Sequence, residues 1–469
     1  MTIEQIYTGC LSQGAYFIES QGEVAIIDPL REIEPYIKRA KKADAKIKYI
    51  FETHFHADFV SGHLTLAKKT GATIVFGPGA KTGFEALVAK DQQTFKIGEI
   101  TLTVLHTPGH TMESTTYLLR DASHKDIAIF SGDTLFLGDV GRPDLAQKAT
   151  DMTQEDLAGI LYESLRKKIM PLNDDLLIYP AHGAGSACGK NLSKETVGTL
   201  GDQKKTNYAL RADMSKQEFI KEVTEGLLPP PKYFPLNVKM NKEGYPDIDT
   251  VLQSGTTPLS PDAFEDLANK NGAIILDVRH QNDYAISHIP QSIFIGIDGG
   301  FAPWVGSLIG DTAQPLLLVT PEGREEETVT RLARVGFDNT LGYLKGGIQA
   351  WKNNSRATDR LKSIDSLTFK ELYEQKKTLI FDVRNIGEYN SEHIPDAKNT
   401  PLDLINDYMN EFPRRSPFYI HCAGGYRSVI AASILKSRGI HNLIDIKGGF
   451  GAIKKSGIKV SDYVCPTTL

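Results

Sequence analysis

Short apolar runs bounded by polar or glycine positions recur along the whole chain. Ala15–Ile18, Val24–Ile27, Ile100–Leu105, Thr115–Leu119 and Ile127–Phe130 have strand length and strand composition. Glu34–Lys42 and Gln154–Ile169 instead place apolar residues at helical spacing. This alternation predicts a mixed α/β domain of two sheets over residues 1–225. Farther along, Leu379–Val383 and Phe418–His421 read as strands buried on both faces, and Val429–Arg438 as a helix. The longest apolar runs, such as Ala273–Leu276 and Pro315–Val319, fall far short of the ~20 residues that span a bilayer. The start, MTIEQIYTGC, lacks a basic and then apolar leader. Membrane insertion and secretion are therefore not expected.

The second half repeats itself. Leu276-Asp277-Val278-Arg279 recurs as Phe381-Asp382-Val383-Arg384, 105 residues on. His288-Ile289-Pro290 recurs as His393-Ile394-Pro395 at the same offset, and Lys345-Gly346-Gly347 as Lys447-Gly448-Gly449 at 102. Three blocks in one order indicate a duplicated domain of about 100 residues. Alternating strands and helices give each copy a parallel sheet with helices on both faces. The expected domains are 1–227, 258–355 and 364–469. Residues 228–257 hold Pro229-Pro230-Pro231, Pro235 and Pro246, and are expected to resist regular structure as an ordered linker.

Composition narrows the class. The 469 residues are 41% hydrophobic and 24% charged, as in folded domains. With 53 basic and 58 acidic residues the formal charge is −5, and no dense Lys/Arg run marks a nucleic-acid surface. Cys10, Cys188, Cys422 and Cys465 are too few for a disulfide scaffold, so a reducing, cytoplasmic setting is expected.

Chemistry concentrates in the first domain. Thr53-His54-Phe55-His56-Ala57-Asp58 follows the apolar run Ile47–Phe51. In extended chain, His54, His56 and Asp58 point the same way. Pro108-Gly109-His110, Ser131-Gly132-Asp133 and Pro180-Ala181-His182 each follow a strand-like run, at the edges where functional groups gather. Four imidazoles and two carboxylates placed in this way imply a cation site.

Together, HxHxD, PGH, SGD and PAHG resemble the metallo-β-lactamase superfamily over about residues 1–210. The resemblance implies an αββα sandwich with metal at one sheet edge. Hydrolases of the glyoxalase II branch read HxHxDH, the last His serving a second metal; Phe59 stands there and cannot ligate. One metal with open positions suits non-haem iron(II) and oxygen. The resemblance then points to the persulfide dioxygenases. Their iron ligands map onto His54, His110 and Asp133, one Fe(II) per chain, with His56, Asp58 and His182 as surrounding groups or alternative ligands. Zinc is the alternative metal, and His63 an alternative replacement for the missing ligand. Arg142, in Gly141-Arg142-Pro143, matches an arginine near the thiol substrate, although a structural ion pair is its other reading. Cys188 is a second candidate for substrate contact, with a small buried residue as the plain reading. Glutathione-using members carry a tyrosine just after the matching His182; residues 183–190 hold none, so the thiol carrier stays open.

The second repeat carries His421-Cys422-Ala423-Gly424-Gly425-Tyr426-Arg427-Ser428 between a strand and a helix. Loop N–H groups, including Gly424 and Gly425, the helix N-terminus and Arg427 should stabilise a thiolate and its anionic reactants. Ser428 is expected to cap the helix. The loop resembles that of rhodanese-type sulfurtransferases, whose cysteine carries sulfane sulfur. Four residues separate Cys422 from Arg427, one fewer than in phosphatases with a comparable loop. In the first repeat Thr320 and Glu325 occupy these positions, so that copy is expected to be inactive. The whole resembles bacterial fusions of sulfide metabolism: two rhodanese-like α/β/α domains behind a metallo-β-lactamase-type sandwich. It implies a small-molecule persulfide, O2, sulfite and thiosulfate as reactants. A zinc thioester hydrolase fused to a sulfurtransferase is the rival. Neither nucleic acid nor membrane is an expected partner, and a homo-oligomer, dimer or tetramer, is the expected state.

Overall fold

The structure, a computed structural model, describes residues 1–147, 151–375 and 378–465. The last four residues of the expected domain 364–469 lie outside it. The chain divides into two compact units, one holding Met1–Thr250 and the other nearly all of both repeats.

The first unit is built on two six-stranded sheets. One runs β1 (Thr2–Thr8), β2 (Gln13–Ser20), β3 (Glu23–Ile27), β4 (Lys46–Phe51), β5 (Thr73–Phe76), β6 (Leu87–Val88). The other holds β7 (Thr94–Ile97), β8 (Ile100–His106), β9 (Thr115–Arg120), β10 (Asp126–Gly132), β11 (Leu177–Pro180) and β12 (Gly198–Thr199) in sequential order. Strand alternation explains the layers. Tyr16, Ile18, Ala25 and Ile27 from one sheet meet Leu102, Val104, Tyr117, Leu119, Ala128 and Phe130 from the other. The opposite faces, with Phe17, Val24 and Ile26 or with Leu118 and Ile129, pack under helical segments. Strands buried on both faces thus give the sandwich. The helical expectation at Gln154–Ile169 is met by an α-helix, Gln154–Ser164, capped by a Thr153–Asp156 box, which runs into one π-helical turn, Leu165–Ile169.

Residues 228–257 differ from expectation. They form two helices, Phe234–Glu243 and Ile248–Gly255. Pro235 lies in the first turn of the earlier helix, where its missing N–H costs nothing. Tyr233, Phe234, Asn237 and Asn241 are buried. Prolines here start a helix instead of preventing one.

In the second unit each repeat forms one five-stranded parallel sheet. The first has the order β13 (Pro258–Leu259), β17 (Thr340–Leu344), β16 (Leu316–Val319), β14 (Ile274–Asp277), β15 (Ile293–Phe294). The second repeats it with β18 (Ser363–Ile364), β22 (Leu443–Ile446), β21 (Phe418–His421), β19 (Ile380–Asp382), β20 (Ala397–Asn399). The shared motifs have structural tasks. Arg384 forks onto Asp382 and donates to the Glu392 carbonyl; Arg279 does the same with Asp277 and Ser287. No helix among the described residues is long and apolar enough to cross a membrane.

Candidate active sites

The metal-type residues converge at one edge of the sandwich. His54, His110 and Asp133 each place a ligating atom within 4.8 Å of the others. His54 follows β4, His110 the turn after β8, and Asp133 the end of β10. Asp133 Oδ2 lies 3.4 Å from His110 Nε2 and 3.9 Å from His54 Nε2. Its other oxygen, Oδ1, lies 3.6 Å from His182 Nε2, which is 3.5 Å from Asp58. His56, Asp58 and His182 form a second such cluster.

The outer nitrogens are held. His110 Nδ1 lies 2.8 Å from the Arg142 carbonyl and His182 Nδ1 3.3 Å from that of Ser12. An Nδ1–H donated to a carbonyl leaves Nε2 as a free lone pair facing inward. Gly141 lets this frame close up, since a Cβ there would come 2.1 Å from the Asp133 carbonyl. Both Asp133 oxygens, Asp58 Oδ1 and His182 Nε2 are buried without hydrogen-bond partners. Buried acceptors left unpaired in one cluster are what a cation satisfies. Burial, reinforced by the neighbouring imidazoles, holds His54 well below the ordinary histidine pKa and so neutral.

His56 belongs to a deeper acidic pair. Its Nε2 lies 3.0 Å from Asp28 and 3.5 Å from Glu52. Burial opposes its charge, but Asp28, Glu52 and Asp58 outweigh that and hold its pKa at about 9. Asp28 also accepts from the Thr53 N–H and hydroxyl, each at 2.8 Å, and so fixes the start of the motif. Asp28 and Glu52 were not singled out by sequence reasoning, although Asp28-Pro29 follows an apolar strand just as the motif residues do. His63 does not replace the missing ligand: it is the first residue of the helix His63–Thr70, and its Nδ1 lies 3.3 Å from Glu52. Phe59 is fully buried and stacks on His56, ring centroids 4.3 Å apart.

Arg142 takes the structural reading. Its guanidinium is buried, forks onto Asp144 at 2.6 and 2.7 Å, and donates to the Ala187 and Leu228 carbonyls. Each of its three nitrogens is thus committed within the protein, and the residue's link to the centre is its own carbonyl on His110. Cys188 is buried, within 4.8 Å of ligating atoms of Asp133 and His182. Burial and the two aspartates, Asp58 and Asp133, push its thiol pKa well up.

In the second repeat, Cys422 directly follows β21 and is buried. The Gly425 N–H donates to its sulfur at 3.1 Å, and Ser428 Oγ lies 3.6 Å away. Gly424 sits at the exposed rim of the loop. The following helix, Arg427–Ser437, starts earlier than expected, with Tyr426 at its cap. Ser428 therefore lies inside the first turn and caps nothing; its hydroxyl faces Cys422. Arg427 is not a free charge but forks onto Glu388 at 2.6 and 2.8 Å. The Lys447-Gly448-Gly449 turn closes under the loop, where the Phe450 N–H donates to the Cys422 carbonyl. In the first repeat, the Gly323 N–H, which matches Gly425, donates to the Glu325 carboxylate, as does the Thr320 hydroxyl. That loop is filled by its own carboxylate.

Comparison with known proteins agrees with this fold. The metallo-beta-lactamase superfamily model matches residues 8–182, and the rhodanese-like domain model residues 260–354 and 367–456. The human mitochondrial persulfide dioxygenase ETHE1 is 30% identical over 227 residues, 47% of this chain and 78% of that protein. Hydroxyacylglutathione hydrolase GloC of Haemophilus influenzae is 29% identical over 213 residues, 40% of this chain and 94% of that one. A crystal structure of a metallo-beta-lactamase from Staphylococcus aureus aligns with TM-score 0.64 and 31% identity, over 74% of this chain and 99% of that one. The chain belongs to the metallo-β-lactamase superfamily through its N-terminal part and carries two rhodanese-like domains behind it.

Proposed function

We propose that this chain oxidises a low-molecular-weight persulfide to sulfite and thiol at a mononuclear iron centre, and that Cys422 carries sulfane sulfur to or from the sulfite. The observation that carries the first half is the pairing of the His54, His110 and Asp133 cluster with Phe59, a side chain without a ligating atom, stacked on His56. The human relative's activity supports the same reading. His54, His110 and Asp133 would hold the ion as two imidazoles and one carboxylate. Iron(II), when bound, would supply the redox chemistry that moves both atoms of O2 to the terminal sulfur; water supplies the third oxygen as the S–S bond breaks, so that RSSH, O2 and H2O give RSH, sulfite and two protons. The Arg142 carbonyl orients His110, and Thr53 orients His54. His182, buried between Asp58 and Asp133, and Asp58 beside it are placed to hold or pass protons as sulfite forms.

At the second site the Cys422 thiolate would attack a sulfane sulfur, forming a cysteine persulfide and releasing the rest of the donor. The Gly425 N–H and Ser428 hydroxyl face the sulfur. Sulfite would take that sulfur as thiosulfate and leave the thiolate, or the step would run in reverse.

A second reading, zinc-dependent thioester hydrolysis, is favoured by one observation: His56, Asp58 and His182 also converge, with Asp133 between the two clusters. The Haemophilus influenzae relative supports it. Metal analysis of the purified full-length chain separates them. About one iron per chain, lost in His110→Ala, is expected; two zinc ions would favour the hydrolase.

A further inference from the structure

The motif loop His56–Ser61 is gripped by a residue far along the chain. Asn241, in the helix Phe234–Glu243, is 1% exposed. Its Nδ2 donates to the His56 and Phe59 carbonyls, each at 2.8 Å. Its Oδ1 accepts from the Ser61 N–H at 2.9 Å. One side chain thereby makes three main-chain hydrogen bonds to a six-residue loop. The loop contains Asp58 and the His56–Phe59 stack, and begins two residues after His54. The same helix and the turn after it grip the surroundings: the Lys242 carbonyl accepts from the Gly83 N–H at 2.7 Å, and Tyr245 OH accepts from the Leu64 N–H at 3.2 Å.

We infer that Asn241 is a positioning residue for the metal centre: it fixes the loop that follows His54 and brings His56 and Asp58 together with His182. This rests on the proposed metal site, and Asn241 lies beyond residues 8–182, the part matched by the superfamily model. A loop buried at a sheet edge exposes N–H and C=O groups that no strand pairs. An amide side chain supplies two donors and one acceptor in a fixed plane, so it satisfies three such groups only in one loop shape. No other uncharged side chain of this size offers that set. Groups behind metal ligands typically change affinity by about 10–100-fold when removed.

The test is an anaerobic titration of the full-length metal-free chain with Fe(II) against a chromophoric chelator. Asn241→Asp keeps the shape and the acceptor but loses both donors; Asn241→Ser keeps one. At least about a tenfold loss of Fe(II) affinity is expected in Asn241→Asp and a smaller loss in Asn241→Ser. Both are expected to lower the metal-free melting midpoint, Asn241→Asp more than Asn241→Ser, so affinity is read per folded molecule; both should take up sulfur at Cys422 normally. A purely structural role would lower the metal-free midpoint but leave affinity per folded molecule unchanged. Unchanged affinity in either folded variant overturns the inference; if Asn241→Asp does not fold, Asn241→Ser decides. Should the wild-type chain prefer paired zinc, the proposed function fails, but the same comparison made with Zn(II) still judges Asn241.

Discussion

Phe59 stacks against His56 with ring centroids 4.3 Å and planes 30° apart, at the position where the hydrolase pattern places its second-metal histidine. An aromatic ring there fills space and offers no lone pair. Phe59→His is expected to raise bound zinc from about one to about two per chain in zinc-supplemented protein, because His56, Asp58 and His182 already converge beside it. Elemental analysis checks this. A ratio that stays at one would mean that something other than Phe59 excludes the second ion.

Cys422→Ser separates the two halves of the account. Oxygen uptake with a persulfide should stay within about twofold of wild type, while sulfur transfer between thiosulfate and sulfite falls to background. Equal loss of both would mean that the two sites share one reaction.

Within the second unit, the first repeat touches the Cys422 loop through Tyr426, whose hydroxyl donates to the Gly296 carbonyl at 2.7 Å. A Cβ on Gly299 would come 2.3 Å from the Tyr426 ring. Gly299→Val should therefore push Tyr426 and slow sulfur transfer about tenfold, through overpacking worth about 1–3 kcal/mol. Tyr426→Phe, which loses only the hydrogen bond, should cost about 1 kcal/mol or less. Steady-state rates with thiosulfate measure both, and wild-type rates in Gly299→Val would contradict the contact.

Asp445, on β22, is buried behind the same loop. Burial, eased by the hydroxyls of Ser428 and Ser363 and by Lys447, still raises its carboxyl pKa from 3.8 to about 6. Between those values the folded chain binds more protons than the unfolded one, so stability falls as pH rises through that window. A rise of that size corresponds to about 3 kcal/mol, present below about pH 4 and lost above about pH 6. Asp445→Asn does not titrate, so its stability relative to wild type should grow by about that amount between about pH 4 and about pH 8 in denaturant titrations. A difference that does not change with pH would contradict the assignment.

Much of this architecture was legible in local pattern. The helix Glu34–Lys42 and the strand Phe418–His421 fall where periodicity and apolar run length place them. The duplication was visible because D-x-R and K-G-G do backbone work that each copy needs. The candidate ligands were legible because each follows a strand. Asn241 was not: an isolated asparagine in a proline-rich stretch carries no local sign that it will meet a loop about 180 residues earlier. The roles of Glu388 and Tyr426 were hidden for the same reason, since their partners come from elsewhere in the unit. Ser428 departs from expectation because serine near a helix start is usually a cap, whereas here the helix begins at Arg427 and turns the hydroxyl inward.

The proposed activity is oxygen chemistry at a single iron. The most direct measurement is an oxygen-electrode trace of the iron-loaded full-length chain given a persulfide, with sulfite quantified in the same sample. About one O2 should disappear per sulfite formed, and His110→Ala should abolish both. No oxygen uptake from a chain that instead hydrolyses a thioester with zinc bound would contradict the account.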